Sequence, residues 1–419
     1  MNKLLRVGIM GLGQRGLQHF RALWKLQASG LAQIVGLCDA FEENIQIEKL
    51  KSTLPTSESS ETGTRFELER ICCTISFDEL LAQNLDVLYV CIPPNYHNGE
   101  VIRATQAGIH LFVEKPMSLY LDEALAMQKA IDDAGVFSVV GFQQRFDTRH
   151  EAVKYFLEGD VAEERKQPVM ACYTFHAPFE SHNVKHMHTE ASGGPINRVW
   201  TANAAWSGMT VVEGGIHPLD LWRYWFGDVI WVQADYIHRP PEAVIDGADN
   251  PYAYSAKFGF ESGVVGVMTL SRLRRVFHTY ADHQLLYTEG RLSIEADGVH
   301  HYHYAGELAG DSSGGSSGDS SERRSKRLPN FVPQLSEADV RTILEMPPAV
   351  DATWALSRNF LLAIANDDRT QIRSPFDDAM NSLAAVLGAN VSDALNGQRV
   401  EIAALLTDSA YAQFRSRPV

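Results

Sequence analysis

A carboxylate, an amine and a proline follow one another at Glu114, Lys115 and Pro116, directly after the apolar run 111–113. Such a run is typical of the end of a buried strand. Side chains just beyond the carboxyl end of a parallel strand project into the crevice where α/β proteins bind ligands. Partial burial there lowers the pKa of an ammonium toward the range of a general base. Taken alone, the three residues favour a surface lysine and a proline that ends the strand. The rest of the sequence must show whether Lys115 has a functional role.

The strongest local signal is the G-x-G-x-x-G pattern of Gly11, Gly13 and Gly16, which lies between a predicted strand and a predicted helix. That context is the one in which the pattern indicates a dinucleotide site. The glycines allow a tight turn, a close approach of the pyrophosphate to the backbone and close packing of helix on strand. The following helix begins at Gln14 and Arg15, so its free N–H groups and positive dipole end would meet the phosphates.

The next predicted strand ends at Asp39, about 20 residues after the glycine loop, where the adenosine ribose hydroxyls would be bound. A carboxylate there repels a 2′-phosphate, and Ala40 and Phe41 supply no compensating cation. The sequence therefore favours NAD over NADP as the cofactor. The alternative is that Asp39 only caps a helix.

The strand predicted at 86–92 is almost continuously apolar, as expected where both faces of a sheet are covered. Its end at Ile92 and Pro93 forms a rigid exit that can lie against a nicotinamide ring. His97 either touches the cofactor or caps the next helix, and we expect Glu114 to contact the cofactor. The strands of this first domain are predicted at 4–10, 33–38, 86–92, 110–113 and 136–141.

Composition narrows the class of protein. The net charge of −15 argues against a nucleic-acid partner or an anionic membrane surface. The five cysteines are an odd number without metal-ligand spacing, which indicates reduced thiols in a reducing compartment. No stretch reaches the length of a membrane span, and we expect a cytoplasmic protein.

The chain resembles the Gfo/Idh/MocA oxidoreductases, a family that includes glucose–fructose oxidoreductase and inositol dehydrogenase. The resemblance rests on the glycine loop, the acid that closes the second strand, the Pro-Pro-x-x-His run at 93–97, Glu-Lys-Pro, and the segments 141–146, 193–195 and 213–220. It implies a Rossmann doubly wound parallel sheet at 1–146 and an α+β domain at 147–419. The predicted strands and turns of the second part favour an open, mostly antiparallel sheet with helices on one face.

The resemblance also implies a catalytic group. Lys115 would be catalytic, with a cis peptide bond to Pro116, and Glu213 and His217 would be its partners. Their i, i+4 spacing predicts one face at the start of a helix, and Asp220 extends that face. The family more often has Asp at position 213.

Lys115 or His217 would take the proton of a hydroxyl group while the hydride leaves, and Glu213 would orient the pair. Because such groups titrate together, the residues do not assign the base to one of them. Arg145 and Asp220 are candidates for holding other hydroxyls of the substrate.

Two stretches have no assigned chemistry. Four histidines, His176, His182, His186 and His188, could hold a metal, but their spread favours an ordinary loop or a substrate lid, and we predict no metal site. A Gly- and Ser-rich insertion near 308–327 lacks apolar groups and is predicted to be flexible.

Together with these residues, the resemblance implies an NAD(P)-dependent oxidoreductase acting on a secondary alcohol or ketone of a sugar, cyclitol or sugar derivative. One alternative is an NAD-dependent glycosidase or lyase that oxidises the sugar transiently. The other is a non-catalytic NAD- or sugar-binding regulatory protein, because a fold does not dictate a function. A homodimer or homotetramer is expected from the resemblance. The substrate and the direction of the reaction stay open.

Overall fold

The structure is a computed structural model that describes residues 4–54, 68–159, 167–178, 200–245, 247–273, 279–288, 290–304 and 339–417. Two sheets organise the described chain, one of six strands and one of nine. The histidines at 182, 186 and 188, the segment 193–195 and the insertion near 308–327 lie outside the described residues.

The first sheet is parallel throughout and has the strand order β3-β2-β1-β4-β5-β6, the doubly wound order of dinucleotide-binding domains. Its central strands are apolar runs buried on both faces, which is why the sequence indicates them so clearly. Its strands are β1 (Leu5–Met10), β2 (Ala32–Cys38), β3 (Cys72–Thr74), β4 (Val87–Val90), β5 (His110–Val113) and β6 (Ser138–Val140).

Helices cover this sheet and end at recognisable signals. The helix over Leu121–Ala134, for example, is followed by Gly135, whose φ of 62° is a left-handed conformation that glycine adopts without steric cost. The helices are α1 (Gln14–Ala28), α2 (Ile47–Thr53), α3 (Phe77–Leu81), α4 (Glu100–Gln106) and α5 (Leu121–Ala134). The predicted Rossmann domain is confirmed.

The second sheet is mixed. All neighbouring strands are antiparallel except β7 and β10, which pair in parallel across nine residues. Its order is β14-β13-β12-β11-β7-β10-β9-β8-β15. Its strands are β7 (Pro168–Pro178), β8 (Val229–Ile237), β9 (Ala253–Phe260), β10 (Val265–Leu273), β11 (Tyr280–Tyr287), β12 (Gly290–Glu295), β13 (Gly298–Tyr304), β14 (Asp339–Ile343) and β15 (Val400–Glu401). The predicted open, mostly antiparallel sheet is confirmed.

The helices after residue 147 serve both halves of the molecule. They are α6 (Thr148–Glu158), α7 (Ala204–Ser207), α8 (Met209–Glu213), α9 (Ile216–Phe226), α10 (Ala352–Asn366), α11 (Phe376–Ala394), α12 (Ile402–Thr407) and α13 (Ala412–Arg415). Helix α11 packs on β8 and α9 in the second sheet's core, whereas α10 packs on α1 and buries Leu356, Phe360 and Leu361 in the first core. One helix of the predicted segment 147–419 therefore returns to complete the first domain.

In the part of the chain that the structure describes, no helix combines the length and the apolar character that crossing a membrane requires.

Candidate active site

Lys115 stands at the centre of the contact between the two halves of the chain. It follows β5, as the sequence predicts, and its peptide bond to Pro116 is cis. The Nζ of Lys115 donates to the backbone oxygen of Glu213 at 2.9 Å and to Glu213 Oε1 at 3.1 Å. Only 8% of the lysine side chain is exposed. This lysine is thus a buried cation held by the second half of the chain.

Glu213 and His217 do not share one helical face. Glu213 is the last residue of α8, and His217 is the second residue of α9. Between them, Gly215 packs so closely that an added Cβ would lie 2.4 Å from Val211 O and 2.9 Å from Met268 Sδ. The expectation of one helix beginning near Glu213 is wrong, because α8 ends at Glu213 and α9 begins at Ile216.

His217 has unused hydrogen-bonding capacity. Its Nδ1 is shielded from solvent and has no partner among the described residues. Burial, reinforced by the positive charges of Lys115 and Arg15, lowers the pKa of His217 well below the ordinary value of 6.5. The ring is therefore neutral at pH 7 and able to accept a proton.

Glu114 is held by a cluster behind the lysine. Its Oε1 accepts from Arg15 Nε at 3.0 Å and from Arg15 Nη2 at 2.9 Å, and it lies 2.6 Å from His19 Nε2. Burial raises the pKa of the Glu114 carboxyl, but Arg15 and His19 outweigh it and bring that pKa below its usual range. Glu114 is therefore an ionised, buried anchor.

The glycine loop has the shape that a bound pyrophosphate needs. A Cβ at Gly16 would lie 1.8 Å from Gly11 O, so only glycine permits this contact of helix and loop. Gly11 has a φ of 87° and packs on Cys91 and Ile92. A Cβ at Gly13 would meet nothing within 4 Å, so the loop is open at this point. Helix α1 begins directly afterwards, and its first N–H groups lack acceptors within the helix.

Asp39 lies beside this loop at the end of β2. Its Oδ2 accepts from Leu12 N at 2.6 Å, and its Oδ1 accepts from Phe41 N at 2.9 Å and Asn44 Nδ2 at 3.0 Å. Each carboxylate oxygen can accept more than one hydrogen bond, so the side chain can still receive a ribose hydroxyl. The residues present fit a dinucleotide, and its orientation stays a prediction.

His97 is turned into the protein. Its ring is buried and its Nδ1 contacts Glu100 Oε1, at the start of α4. Of the two readings, this contact favours the structural one, in which His97 holds the next helix. Ile92 and Pro93 are half-buried beside it at the exit of β4.

Arg145 and Asp220 have a different role from the predicted one. Arg145 Nε and Nη2 donate to Asp220 Oδ2 and Oδ1 at 2.8 and 2.6 Å, and Ser382 Oγ donates to Oδ1 at 3.0 Å. Arg145 Nη2 also donates to Asp378 Oδ2 at 2.7 Å. Both members of the pair are buried, with side chains 4% and 1% exposed. The two groups bind each other instead of substrate hydroxyls and join the segment after β6 to α9 and α11.

The histidine segment is described only at His176, whose Nδ1 lies 2.8 Å from Ser271 Oγ across two neighbouring strands. His182, His186 and His188 stay outside the described residues. The expectation that this segment is an ordinary loop or a substrate lid without a metal site therefore stays a prediction from the sequence.

One described group has metal-like spacing. Ligand atoms of Glu295, Asp297 and His300 lie within 4.8 Å of one another. However, His300 Nδ1 accepts from Arg341 Nε at 3.0 Å, and Nε2 lies 2.9 Å from Asp297 Oδ1. A neutral imidazole that accepts at Nδ1 carries its proton on Nε2, the nitrogen that faces the carboxylates. This proton and the nearby guanidinium disfavour a cation, and hydrogen bonding accounts for the group.

His19 is the site residue that the sequence interpretation missed. It follows Arg15 by four residues, so both lie on one face of α1. Its ring packs on Phe112 and Tyr89, with centroids 4.5 and 5.4 Å away. The sequence signal that could have identified His19 is a polar residue among the apolar positions of the helix that starts at the glycine loop.

The strand order, the glycine loop and the buried lysine together define a dinucleotide-binding oxidoreductase. Two family models agree. The model of the oxidoreductase family with an NAD-binding Rossmann fold (Gfo/Idh/MocA) matches residues 5–142, and that of the Gfo/Idh/MocA C-terminal domain matches residues 179–293. The chain belongs to the Gfo/Idh/MocA family and is an NAD-binding oxidoreductase.

Individual relatives are distant. The chain is 24% identical to scyllo-inositol 2-dehydrogenase (NAD(+)) of Bacillus subtilis over 70% of this chain and 75% of that protein. It is 25% identical to myo-inositol 2-dehydrogenase of Thermotoga maritima over 64% and 69%. A crystal structure of an Agrobacterium radiobacter oxidoreductase with NAD+, L-tartaric acid and magnesium superposes with a TM-score of 0.69 at 17% identity, covering 96% of this chain and all of that one. The last likeness is one of fold alone.

Proposed function

We propose that the protein transfers a hydride between NAD and a secondary alcohol or ketone of a sugar, cyclitol or sugar derivative. The observation that carries this proposal is the buried contact of Lys115 with Glu213, beside a neutral His217 whose Nδ1 has no partner in the described chain. Relatives named as inositol dehydrogenases support the substrate class.

The division of labour within the group follows from charge. Lys115 is paired with a carboxylate and donates hydrogen bonds, so it orients the reacting oxygen and stabilises negative charge that develops there. His217, which is neutral, accepts the hydroxyl proton in the oxidation direction and returns it in the reduction direction. Glu213 holds the lysine in place.

The cofactor site consists of the loop Gly11–Gly16, with the first N–H groups of α1 at Gln14 and Arg15, and of Asp39 for the ribose. Bound NAD+ supplies the hydride acceptor. Ile92 and Pro93 border the nicotinamide end. The carboxylate of Asp39, which has no cation among its hydrogen-bonding partners, supports a preference for NAD over NADP.

The test is Lys115→Met with a panel of sugars and cyclitols. Turnover is expected to fall by at least about 100-fold, while the Kd for NAD stays nearly unchanged. Lys129→Met is the matched control, because Lys129 lies in α5 with its side chain 75% exposed. Full turnover by Lys115→Met would refute the assignment. Cleavage of a glycoside without net NADH would instead favour the lyase reaction, and NAD binding without turnover would favour a regulatory protein.

Assembly and location belong to the same proposal. We expect a homodimer or homotetramer from the family resemblance, and the second sheet carries exposed apolar side chains at Ile230, Ile237, Tyr280 and Ile343 on strands spread from β8 to β14. The five cysteines are all free, and burial raises the pKa of Cys38 and Cys73 to about 11, which suits a cytoplasmic protein with reduced thiols. Sedimentation analysis of the purified protein tests the assembly.

A further inference from the structure

We propose that Arg15 and His19 are positioning residues that fix Glu114, and through it the main chain at Lys115, and that the Arg15 side chain is not a ligand of the cofactor phosphates. This inference rests on the proposed function, because it assigns Lys115 a part in the reaction. Arg15 stands in the glycine loop, where a cation would ordinarily be expected to bind phosphate. The structure gives its guanidinium another partner.

All three guanidinium nitrogens of Arg15 face protein acceptors. Nε and Nη2 donate to Glu114 Oε1 at 3.0 and 2.9 Å, and Nη1 donates to Gln18 Oε1. Three of the five guanidinium N–H groups are thus used within the protein, which fixes the orientation of the Arg15 side chain. The main-chain N–H of Arg15 is separate from this arrangement and remains available to the phosphates.

The carboxylate of Glu114 has little freedom to turn. A Cβ at Gly141 would lie 2.8 Å from its carboxyl carbon, so the backbone there packs directly on it. On the other side is His19, whose ring is itself packed on Phe112. Only 5% of the Glu114 side chain is exposed. The cluster therefore holds the carboxylate in one orientation.

The same carboxylate contacts the backbone of the reactive residue. Glu114 Oε2 accepts from Lys115 N at 3.2 Å. Lys115 then reaches in the other direction, to Glu213. Glu114 thus contacts helix α1, and Lys115, the next residue, contacts helix α8. Loosening Glu114 would let the lysine amine shift, and displacements of about 1 Å can cost a reaction up to about 100-fold.

The test compares Arg15→Gln, Glu114→Gln and the double variant. Each single change is expected to lower kcat by about 10- to 100-fold with the Kd for NAD changed by less than about threefold. Because Arg15 acts through Glu114, the double variant should be no slower than Glu114→Gln. Lys25→Gln is the control, since it removes an exposed positive charge from the same helix far from Glu114.

A second pair of variants separates positioning from folding. His19→Gln keeps a donor for Glu114 and should retain more of kcat than His19→Leu, at similar melting temperatures. A Kd for NAD raised tenfold or more in Arg15→Gln, with kcat unchanged, would make Arg15 a phosphate ligand and overturn the proposal, as would additive losses in the double variant. If the wild-type protein reduced no NAD+ with any polyol, the proposed function would fail separately. The NAD titration alone would then decide the role of Arg15.

Discussion

Two buried carboxylates, Glu114 and Asp220, are each held by an arginine. Arg15, the partner of Glu114, keeps 26% of its side chain exposed beside the glycine loop. Arg145, the partner of Asp220, is 4% exposed and bridges three elements. Glu114 also accepts from the backbone N–H of Lys115, which we propose to be the reacting lysine, whereas Asp220 accepts from Arg145 and Ser382. The pairing chemistry is the same, so only the surroundings separate a site residue from a structural one.

His283 and His217 can be compared in the same way. Burial lowers the pKa of His283 to about 3 and that of His217 well below 6.5. His283 Nε2 accepts from Trp222 Nε1 at 2.9 Å, which gives the ring a structural task. His217 Nδ1 has no such partner in the described chain. The two histidines therefore share a lowered pKa and differ in that only the ring of His283 has a hydrogen-bond partner on the nitrogen compared here.

The largest expected effect is a difference in unfolding free energy between the variants Asp220→Asn and Glu114→Gln. Removing the charge of Asp220 leaves the buried Arg145 with one carboxylate, Asp378, and should cost about 3–5 kcal/mol of unfolding free energy. Glu114→Gln should cost only about 1–2 kcal/mol, because Arg15 can turn to solvent. Urea unfolding at pH 7 measures both. Equal losses would remove the distinction between the two carboxylates.

Acid stability provides the next comparison. The folded-state pKa of His283 is depressed to about 3, so the unfolded chain binds the proton more readily, and stability is lost as the pH falls below about 6.5. Between pH 6.5 and pH 5 this single group should cost about 2 kcal/mol. His283→Gln cannot titrate but can still accept a hydrogen bond from Trp222 Nε1. Between pH 6.5 and pH 5 its unfolding free energy should therefore fall by about 2 kcal/mol less than that of the wild-type protein. An identical acid dependence in the two proteins would contradict a structural, neutral His283.

The smallest expected effect concerns the pH profile of the reaction. Because His217 must be neutral to accept a proton and its pKa is lowered, kcat/KM should fall on acidification with a midpoint below 6.5. Steady-state rates across pH with a saturating concentration of NAD+ measure it. A midpoint above pH 7 would show that another group limits the reaction.

Much of the first domain was predictable because its signals are local. The apolar runs, the glycine loop and the acid after β2 each report a short segment, and the strand predicted at 110–113 matches β5 (His110–Val113). The division of this segment into α8 and α9 was not predictable in this way. The i, i+4 spacing fits one helix, but α8 ends at Glu213 and α9 begins at Ile216. Gly215, between them, packs on Met268 of β10, which lies 53 positions later in the chain.

The sequence by itself determined the class of fold, the cofactor loop and Lys115 as a candidate, because each follows from residue types at short spacing. The tertiary structure alone decided the partners of the charged groups. Arg15 meets Glu114 across 99 positions, and Arg145 meets Asp220 across 75. A buried charge binds whichever opposite charge the packing brings near, so a spacing pattern cannot identify its partner. For that reason Arg145 and Asp220 resembled substrate ligands in sequence, and His19 could be assigned to the cluster behind Lys115 only from the folded chain.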